Sequence, residues 1–324
     1  MRARVTVAVP VFNGARFLPH TLDSLLGQQH DDFEVVVIDD VSTDDSVAIA
    51  ESRGVRVVRN EVRRGLAGNW NAAFALAKTP LLVIAHQDDV YDPRFLAATS
   101  KLLATYPRAF IAHTRAGIID AHDRPVVTAA ARFKDRFWPA DEPYERPPEA
   151  ELRMLQTGNY IVCPAVMFRM SAVETIGTFN ESYRFVPDWE YWLRGLVAGF
   201  TIAGTHAPLV QWRSHEANAT KQEEATLRRY DEELELLEWL SREAHMPRRL
   251  NAVENTLLSD FAGRLSRDDR SGAAALRRYA RERLPDARRA HALMTFGTMG
   301  GRLGGRALEL AASVYTRFAQ ISAK

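Results

Sequence analysis

The sequence predicts an α/β fold in which a mostly parallel sheet is flanked by helices and followed by a C-terminal helical extension. Three features point there. Short Val/Ile/Leu runs alternate with helix-spaced apolar positions through the first 120 residues. Near-continuous apolar strands between helices belong to parallel sheets covered on both faces. Each run closes on polar or turn residues, at the strand ends where such sheets hold their ligands. From about Glu223 the pattern is helical to the end.

Taken in order, Val5–Val9 predicts the first strand, and Pro19 with Leu18, Leu22, Leu25 and Leu26 the first helix. Phe33–Ile38 predicts the second strand. Ser42-Thr43-Asp44-Asp45 is capping chemistry for a helix that stops at Gly54. Val55–Val58 is a third strand, and an Ala-rich helix runs from about Asn69 to Lys78. Leu81–Ala85 is the fourth strand and Pro93–Tyr106 the next helix. From about Phe110 to Trp212 the pattern loosens into short strands, a proline-rich stretch (Trp138 to Pro148) and two helices. The predicted divisions are 1–110, 111–222 and 223–324.

Length and composition exclude several classes. At 324 residues, 46% hydrophobic and 26% charged, the chain has material for a sizeable core and is neither disordered nor a disulfide-stapled miniprotein. Cys163 is the single cysteine, which rules out an intrachain disulfide and cysteine-cluster metal sites and favours a reducing, cytoplasmic setting. Residues 1–10 are expected to be a first strand rather than a secretory leader. The longest uncharged run, Gly195 to Trp212, is broken by Gly199, Gly204, His206 and Pro208, so a helix end and a strand fit it better than a membrane span. Net charge is +1, but Pro247 to Lys324 carry 15 Lys and Arg against 7 Asp and Glu, leaving 27 against 34 before them. A basic tail on an acidic body suggests a polyanion, a membrane surface or a docking partner.

Chemistry gathers at the strand ends. Asp88-Asp89 directly follow an apolar strand, and adjacent carboxylates repel unless a cation or hydrogen bonds offset them. A hard divalent ion on phosphate oxygens is one remedy; an Asx turn before Pro93 is another. Asp39-Asp40 end the second strand, where they suit helix capping, or acceptance of a pyrimidine ring N–H with Phe12 stacked on the base.

Five motifs then come in order: Val-Pro-Val-Phe-Asn (9–13), Phe-Glu-Val-Val-Val-Ile-Asp-Asp-x-Ser-x-Asp (33–44), Arg-Gly-Leu-Ala-x-Asn-x-Asn (64–71), Gln-Asp-Asp (87–89) and Ile176–Glu181 leading to Pro187-Asp188-Trp189-Glu190-Tyr191-Trp192-Leu193-Arg194. Together they resemble the family 2 glycosyltransferases, which have the GT-A fold, over about residues 3 to 220. The resemblance implies that 1–110 bind a nucleoside diphosphate sugar and 111–222 an acceptor. Pro10, Phe12 and Asp40 would hold the nucleobase, with Asp39 beside them. The backbone at Asn13 and Gly14, with Asn69 and Asn71, would lie near the ribose and diphosphate. Asp88 and Asp89 would meet the ribose and a Mn²⁺ or Mg²⁺ ion, and Asp188 would be the general base of a single inverting displacement.

Three positions depart from the family pattern. His86 stands where an acidic residue is common, which either weakens the metal site or makes His86 a ligand. Pro187-Asp188 replaces Glu-Asp and leaves the base in place. Val41 replaces a usual Gly. His215, in Trp212-Arg213-Ser214-His215, is a further candidate for metal or diphosphate, and Arg213 for phosphate by charge. Asn159, Trp189 and Glu190 are the acceptor-side candidates, with Glu190 the reserve base; Trp192 and Cys163 are read as structural.

A dinucleotide oxidoreductase is excluded because no Gly-x-Gly-x-x-Gly follows the first strand. A nucleotidyltransferase lacks its Gly-rich first loop. Nucleic-acid binding rests on the arginine-rich tail alone, without interleaved aromatics, and is not expected. The alternative from another class is an inactive sugar-nucleotide-binding scaffold. The expected partners are UDP or dTDP sugars, favoured by the pyrimidine reading, and a saccharide or lipid-linked saccharide acceptor in surface-polysaccharide assembly. Leu303, Ala307, Leu310, Val314, Phe318 and Ile321 recur at helical spacing opposite Arg302, Arg306 and Arg317, so the tail offers an amphipathic helix for the inner membrane face or a second subunit.

Overall fold

A computed structural model describes residues 4–127, 138, 142–215, 226–247, 250–288 and 290–298. By compactness the chain divides into one unit of residues 1–155 with 159–222, and another of 156–158 with 223–324.

The first unit is built on β1 (Val5–Val11), α1 (Leu18–Leu26), β2 (Phe33–Asp39), α2 (Ser46–Ser52), β3 (Arg56–Arg59), α3 (Gly65–Leu76), β4 (Leu81–Ile84), β5 (Val90–Tyr91), α4 (Phe95–Thr105) and β6 (Ala109–Ile119). It continues with β7 (Tyr144–Arg146), α5 (Pro148–Leu155), a 3₁₀ turn (Cys163–Ala165), β8 (Val166–Arg169), α6 (Met170–Ile176), α7 (Pro187–Val197) and β9 (Thr201–Arg213). The strand order is β3-β2-β1-β4-β8-β6-β9-β5, with β7 on β9. β1 is parallel to β2 and β4, β2 to β3, and β6 to β9. β8 runs antiparallel between β4 and β6, and β5 and β7 run antiparallel to β9. β6 runs unbroken across the division predicted at 110/111.

Burial explains the unbroken apolar runs. Val5, Val7, Val9 and Val11 of β1 and Val36 and Val37 of β2 are fully buried, as are Leu18, Leu22 and Leu25 of α1. Both faces of the inner strands are covered, so no polar alternation survives in their sequence.

Two boundaries differ from the sequence reading. α3 begins at Gly65, one turn before Asn69, because the Asp40 carboxylate takes the Arg64 and Gly65 amides at 2.7 and 2.9 Å. A carboxylate at a helix start satisfies donors that lack an intrahelical partner. α2 begins at Ser46, and much of the expected capping chemistry serves the neighbouring loop instead, as described below.

The second unit contains α8 (Arg228–Glu243), α9 (Asn251–Ser266) and α10 (Arg270–Arg283). Leu234, Leu236, Leu237, Leu240, Leu257 and Leu258 are buried. The Tyr279 hydroxyl donates to Asp231 at 2.9 Å, and Arg283 pairs with the same carboxylate at 3.1 Å. The amphipathic segment 303–321 lies outside the described residues. Among those that are described, no helix is long and apolar enough to cross a membrane.

Candidate active site

The carboxyl ends of β1, β2 and β4 and the start of α7 supply the predicted residues. At β1 the chain turns through Asn13, whose φ of 49° lies in the left-handed region. Four consecutive amides then point at side chains. Phe12 N–H donates to Gln87 Oε1, Asn13 N–H to Ser42 Oγ, Gly14 N–H to Ser46 Oγ and Ala15 N–H to Asp44 Oδ2, each at 2.9 Å. Asn13 Oδ1 in turn accepts the Thr43 amide at 2.9 Å. The Asn13 and Gly14 backbone expected beside the diphosphate is therefore spent on the β2–α2 loop. The serines and Asp44, read from sequence as caps, are its acceptors.

Gln87 is a residue that sequence reasoning quoted but gave no role. Its side chain also donates to the Phe12 carbonyl at 3.3 Å, and its own carbonyl accepts the Thr21 hydroxyl at 3.0 Å. No local pattern marks it, because its partners lie 66 and 75 positions away.

The nucleobase residues are also engaged with protein. Asp40 is 2% exposed and accepts from Asn60 Nδ2 at 2.9 Å besides the two α3 amides, which fills three of a carboxylate's roughly four acceptor sites. Asp39 is fully buried, accepts the Ser42 amide at 3.2 Å and pairs with Arg59 Nε at 3.0 Å. The Arg63 guanidinium lies 3.7 Å over the Phe12 ring, a cation–π contact with the ring expected to stack on a base. Pro10 is half-buried in β1.

Asn69 and Asn71 face the protein. Asn69 is buried, accepting from Asn60 Nδ2 at 3.0 Å and donating to the Ile38 carbonyl at 3.1 Å. Asn71 exchanges both hydrogen bonds with the Phe179 backbone, at 2.9 and 3.0 Å, and reaches Glu181 at 2.8 Å. Both hold loops in place, because an amide near an unpaired backbone group is drawn to satisfy it.

At the end of β4 the carboxylate pair is set differently. Asp89 is fully buried; Oδ1 accepts the Arg213 amide at 2.8 Å, whereas Oδ2 has no hydrogen-bond partner among the described residues. Burial first, and the Asp88 charge second, push the Asp89 carboxyl well above the usual range against the pull of Arg213. Asp88 Oδ2 lies 2.9 Å from His215 Nε2, and the His215 ring packs on Phe17 at 4.7 Å. His86 Nε2 is buried without a hydrogen-bond partner among the described residues, and burial lowers its proton affinity despite Asp88. Ligand atoms of His86, Asp88 and Asp89 all lie within 4.8 Å of one another.

These residues fit a divalent cation. A buried carboxylate oxygen and a buried imidazole nitrogen without partners carry a desolvation penalty that an ion would relieve. His215 falls outside this group of three and faces Asp88 instead. Arg213 does not face a ligand: its side chain is 1% exposed. It donates to the Asp88 and Asp120 carbonyls at 2.7 and 3.1 Å and pairs with Asp123 at 2.7 Å. It braces the turn that presents the carboxylates.

Asp188 opens α7, the second residue after Val186. Its Oδ1 accepts the Trp189 amide at 2.7 Å and its Oδ2 the Asn159 side-chain amide at 3.1 Å. The Cys163 thiol is pushed far up by burial, and the Asp188 and Asp89 charges push it further. Trp189 is 4% exposed and gives its indole N–H to the Leu155 carbonyl at 3.1 Å, so it packs inside instead of offering a sugar platform. Glu190 is 7% exposed and held by Arg194 at 2.7 and 2.9 Å. On a helix it points about 200° away from Asp188, toward the core.

The comparisons with known proteins bear on the fold and the family. An uncharacterized protein (MT1568) of Mycobacterium tuberculosis is 30% identical over 250 residues, 73% of this chain and 75% of its own. Staphylococcus aureus TarS 1–349, solved with UDP-GlcNAc, matches with a TM-score of 0.60 at 15% identity, over 100% of this chain and 93% of that one. The mannosyltransferase PcManGT of Pyrobaculum calidifontis, solved with GDP-Man and Mn²⁺, matches with a TM-score of 0.59 at 21% identity, over 98% and 88%. These likenesses establish the GT-A-like fold. The model of "Glycosyl transferase family 2" matches residues 6–177. With more than half the chain inside that model, and the five motifs folded around one sheet edge, the protein belongs to glycosyltransferase family 2 and is a glycosyltransferase.

Proposed function

We propose that the chain moves one sugar, with inversion, from a nucleoside diphosphate sugar to a hydroxyl of a saccharide or lipid-linked saccharide in surface-polysaccharide assembly. The observation that carries this reading is the group His86, Asp88 and Asp89 after β4, whose ligand atoms lie within 4.8 Å of one another, in a chain that also sets Asp188 at the tip of α7. Inverting transfer needs such an arrangement, with a base on the face opposite the departing diphosphate.

The chemistry follows from the side chains. The Asp188 carboxylate, held by the Asn159 amide, takes the proton of the acceptor hydroxyl. That oxygen bonds to the anomeric carbon, while the bond to the diphosphate oxygen breaks with its electron pair. His86, Asp88 and Asp89 would hold a divalent ion, which when bound neutralises charge on the departing diphosphate. Structures of relatives holding Mn²⁺, UDP-GlcNAc and GDP-Man support a metal-assisted nucleotide sugar site.

For the base, a pyrimidine is the proposed partner. The acceptor site remaining on Asp40 suits the N3–H of uracil or thymine, and Phe12 supplies the stacking ring. A thermal-shift panel of UDP, dTDP and GDP, with Mn²⁺, with Mg²⁺ and with EDTA, tests both parts. Stabilisation by UDP or dTDP that disappears in EDTA is expected. A preference for GDP overturns the pyrimidine reading, and full nucleotide binding in EDTA overturns the metal.

A further inference from the structure

Glu151, in α5, is a fully buried carboxylate to which the transfer chemistry assigns no part. It accepts from the Tyr160 hydroxyl, and Arg146 Nη1 donates both to Glu151 Oε2 at 3.2 Å and to the Tyr160 hydroxyl at 3.1 Å. Tyr160 is itself buried. A buried ion pair adds little net stability over apolar side chains of the same volume, and its better-attested use is to specify one arrangement. What this pair specifies lies at the neighbouring residue. Asn159 Oδ1 accepts the Ile161 amide at 3.2 Å, a turn that straddles Tyr160, while its Nδ2 donates to Asp188 Oδ2 at 3.1 Å. The same helix reaches Asp188 from the other flank. Leu155 lies one turn beyond Glu151, at the helix end, where carbonyls lack an intrahelical partner. Its carbonyl accepts the Trp189 indole N–H at 3.1 Å.

We propose that Glu151 and Tyr160 are positioning residues for the Asp188 carboxylate, with α5 as the block that fixes it from both flanks. The proposal rests on the reading of Asp188 as the base and adds what sets its place. On one flank Glu151 and Arg146 hold the Tyr160 hydroxyl, Tyr160 holds the turn, and the Asn159 amide in that turn holds Oδ2. On the other, Leu155 holds the Trp189 indole, and the Trp189 backbone amide donates to Oδ1 at 2.7 Å. Local geometry at the start of α7 would orient only the first oxygen; the second is set by Asn159, 29 positions away. A base must meet the acceptor hydroxyl within hydrogen-bond reach, and a misplacement of about 1 Å can cost on the order of 10²-fold in rate. Loss of the anchor therefore acts on turnover rather than on donor affinity.

The test uses the full chain, labelled with ¹⁵N at asparagine, and reads the Asn159 side-chain amide by NMR. The resonance is assigned by its loss in Asn159→Ala, and Asp188→Ala shows where it lies without its acceptor. Tyr160→Phe keeps the Glu151–Arg146 pair and is expected to fold, with the resonance moved to, or exchanging with, the position seen in Asp188→Ala. Glu151→Ala should do the same. Glu151→Gln unpairs Arg146 equally but keeps an oxygen for the Tyr160 hydroxyl, so it should restore the native position. Turnover is followed as nucleoside diphosphate released from UDP-glucose, UDP-GlcNAc and GDP-mannose in turn. Tyr160→Phe should lower kcat by about 10–100-fold with donor KM unchanged, and should cost nothing further in an Asp188→Asn background, because the two act through one group. A native resonance in Tyr160→Phe overturns the proposal without any substrate. So does equal displacement in Glu151→Gln and Glu151→Ala, or a rate loss that adds fully to that of Asp188→Asn. Failure of the base reading is separate: Asp188→Asn would turn over normally while the resonance still answers to Tyr160.

Discussion

Val41 adopts a φ of 65°, where the Cβ of an L-residue meets the following carbonyl at a cost of about 1–2 kcal/mol. A β-branched side chain there is an outlier, and it sits in the loop whose Ser42, Asp44 and Ser46 hold the β1–α1 turn. Val41→Gly is expected to raise stability by about 1 kcal/mol, read as a higher urea midpoint at unchanged m. The departure from the family's glycine thus acquires a physical meaning: the backbone shape is kept and the strain is carried. Asp188 gives the second prediction at this scale. Asp188→Asn keeps the α7 contacts, folds and binds donor, and loses about 10²–10⁴ in kcat. Glu190→Gln instead weakens the Arg194 pair, costs about 1–2 kcal/mol of stability, and leaves most of the turnover. The reverse pattern would move the base to Glu190.

α7 shows how an element outweighs a residue preference. Gly195 lies inside this helix, where alanine is ordinarily better by about 1 kcal/mol. A Cβ at Gly195 would stand 2.4 Å from Cζ of Phe110, and that ring is 1% exposed and packed against Tyr191 and Phe200. The ring has nowhere to go, so overpacking wins. Gly195→Ala should lower stability by about 1–3 kcal/mol, and Phe110→Leu in the same background should recover part of it, both measured by thermal unfolding. The loops behave likewise as elements. Asn71 ties α3 to the Phe179 turn, and Gln87 ties β4 to β1, so substitutions there act on the site through loop position.

For the molecule as a whole, part of the acid sensitivity lies away from the active site. His113 of β6 is fully buried with Nε2 2.8 Å from the Tyr144 hydroxyl, and burial together with the Arg146 charge depresses its pKa to about 3. The unfolded chain takes up a proton near pH 6.5, whereas the folded one resists it until about 3. The unfolded state therefore binds more protons throughout that window, and stability falls as pH drops, by about 1.4 kcal/mol per pH unit once well inside it. His113→Gln should make the slope shallower by this contribution. Urea unfolding of both proteins between pH 7 and 4 checks it; equal slopes would place the acid sensitivity elsewhere.

What the sequence by itself determined is whatever nearest neighbours and period decide. The apolar runs of β1, β2 and β4, the helices between them and the helical pattern after residue 223 were legible because burial on both faces leaves a continuous Val/Ile/Leu signature. The order of the motifs identified the family, and adjacency alone placed Asp88 and Asp89 at a strand end and Asp188 at a helix start. Only the tertiary structure decided which of the candidate side chains are engaged with the protein itself. Asn69, Asn71, Arg213 and Trp189 are turned to partners up to 125 positions away, and Gln87 joins loops that sequence reading kept apart. Buried hydrogen-bonding groups must find partners wherever the fold brings them, and that constraint acts through space, leaving no spacing along the chain. Among the described residues the same constraint leaves His86 Nε2 and Asp89 Oδ2 without hydrogen-bond partners, and both residues belong to a group that could hold a metal ion.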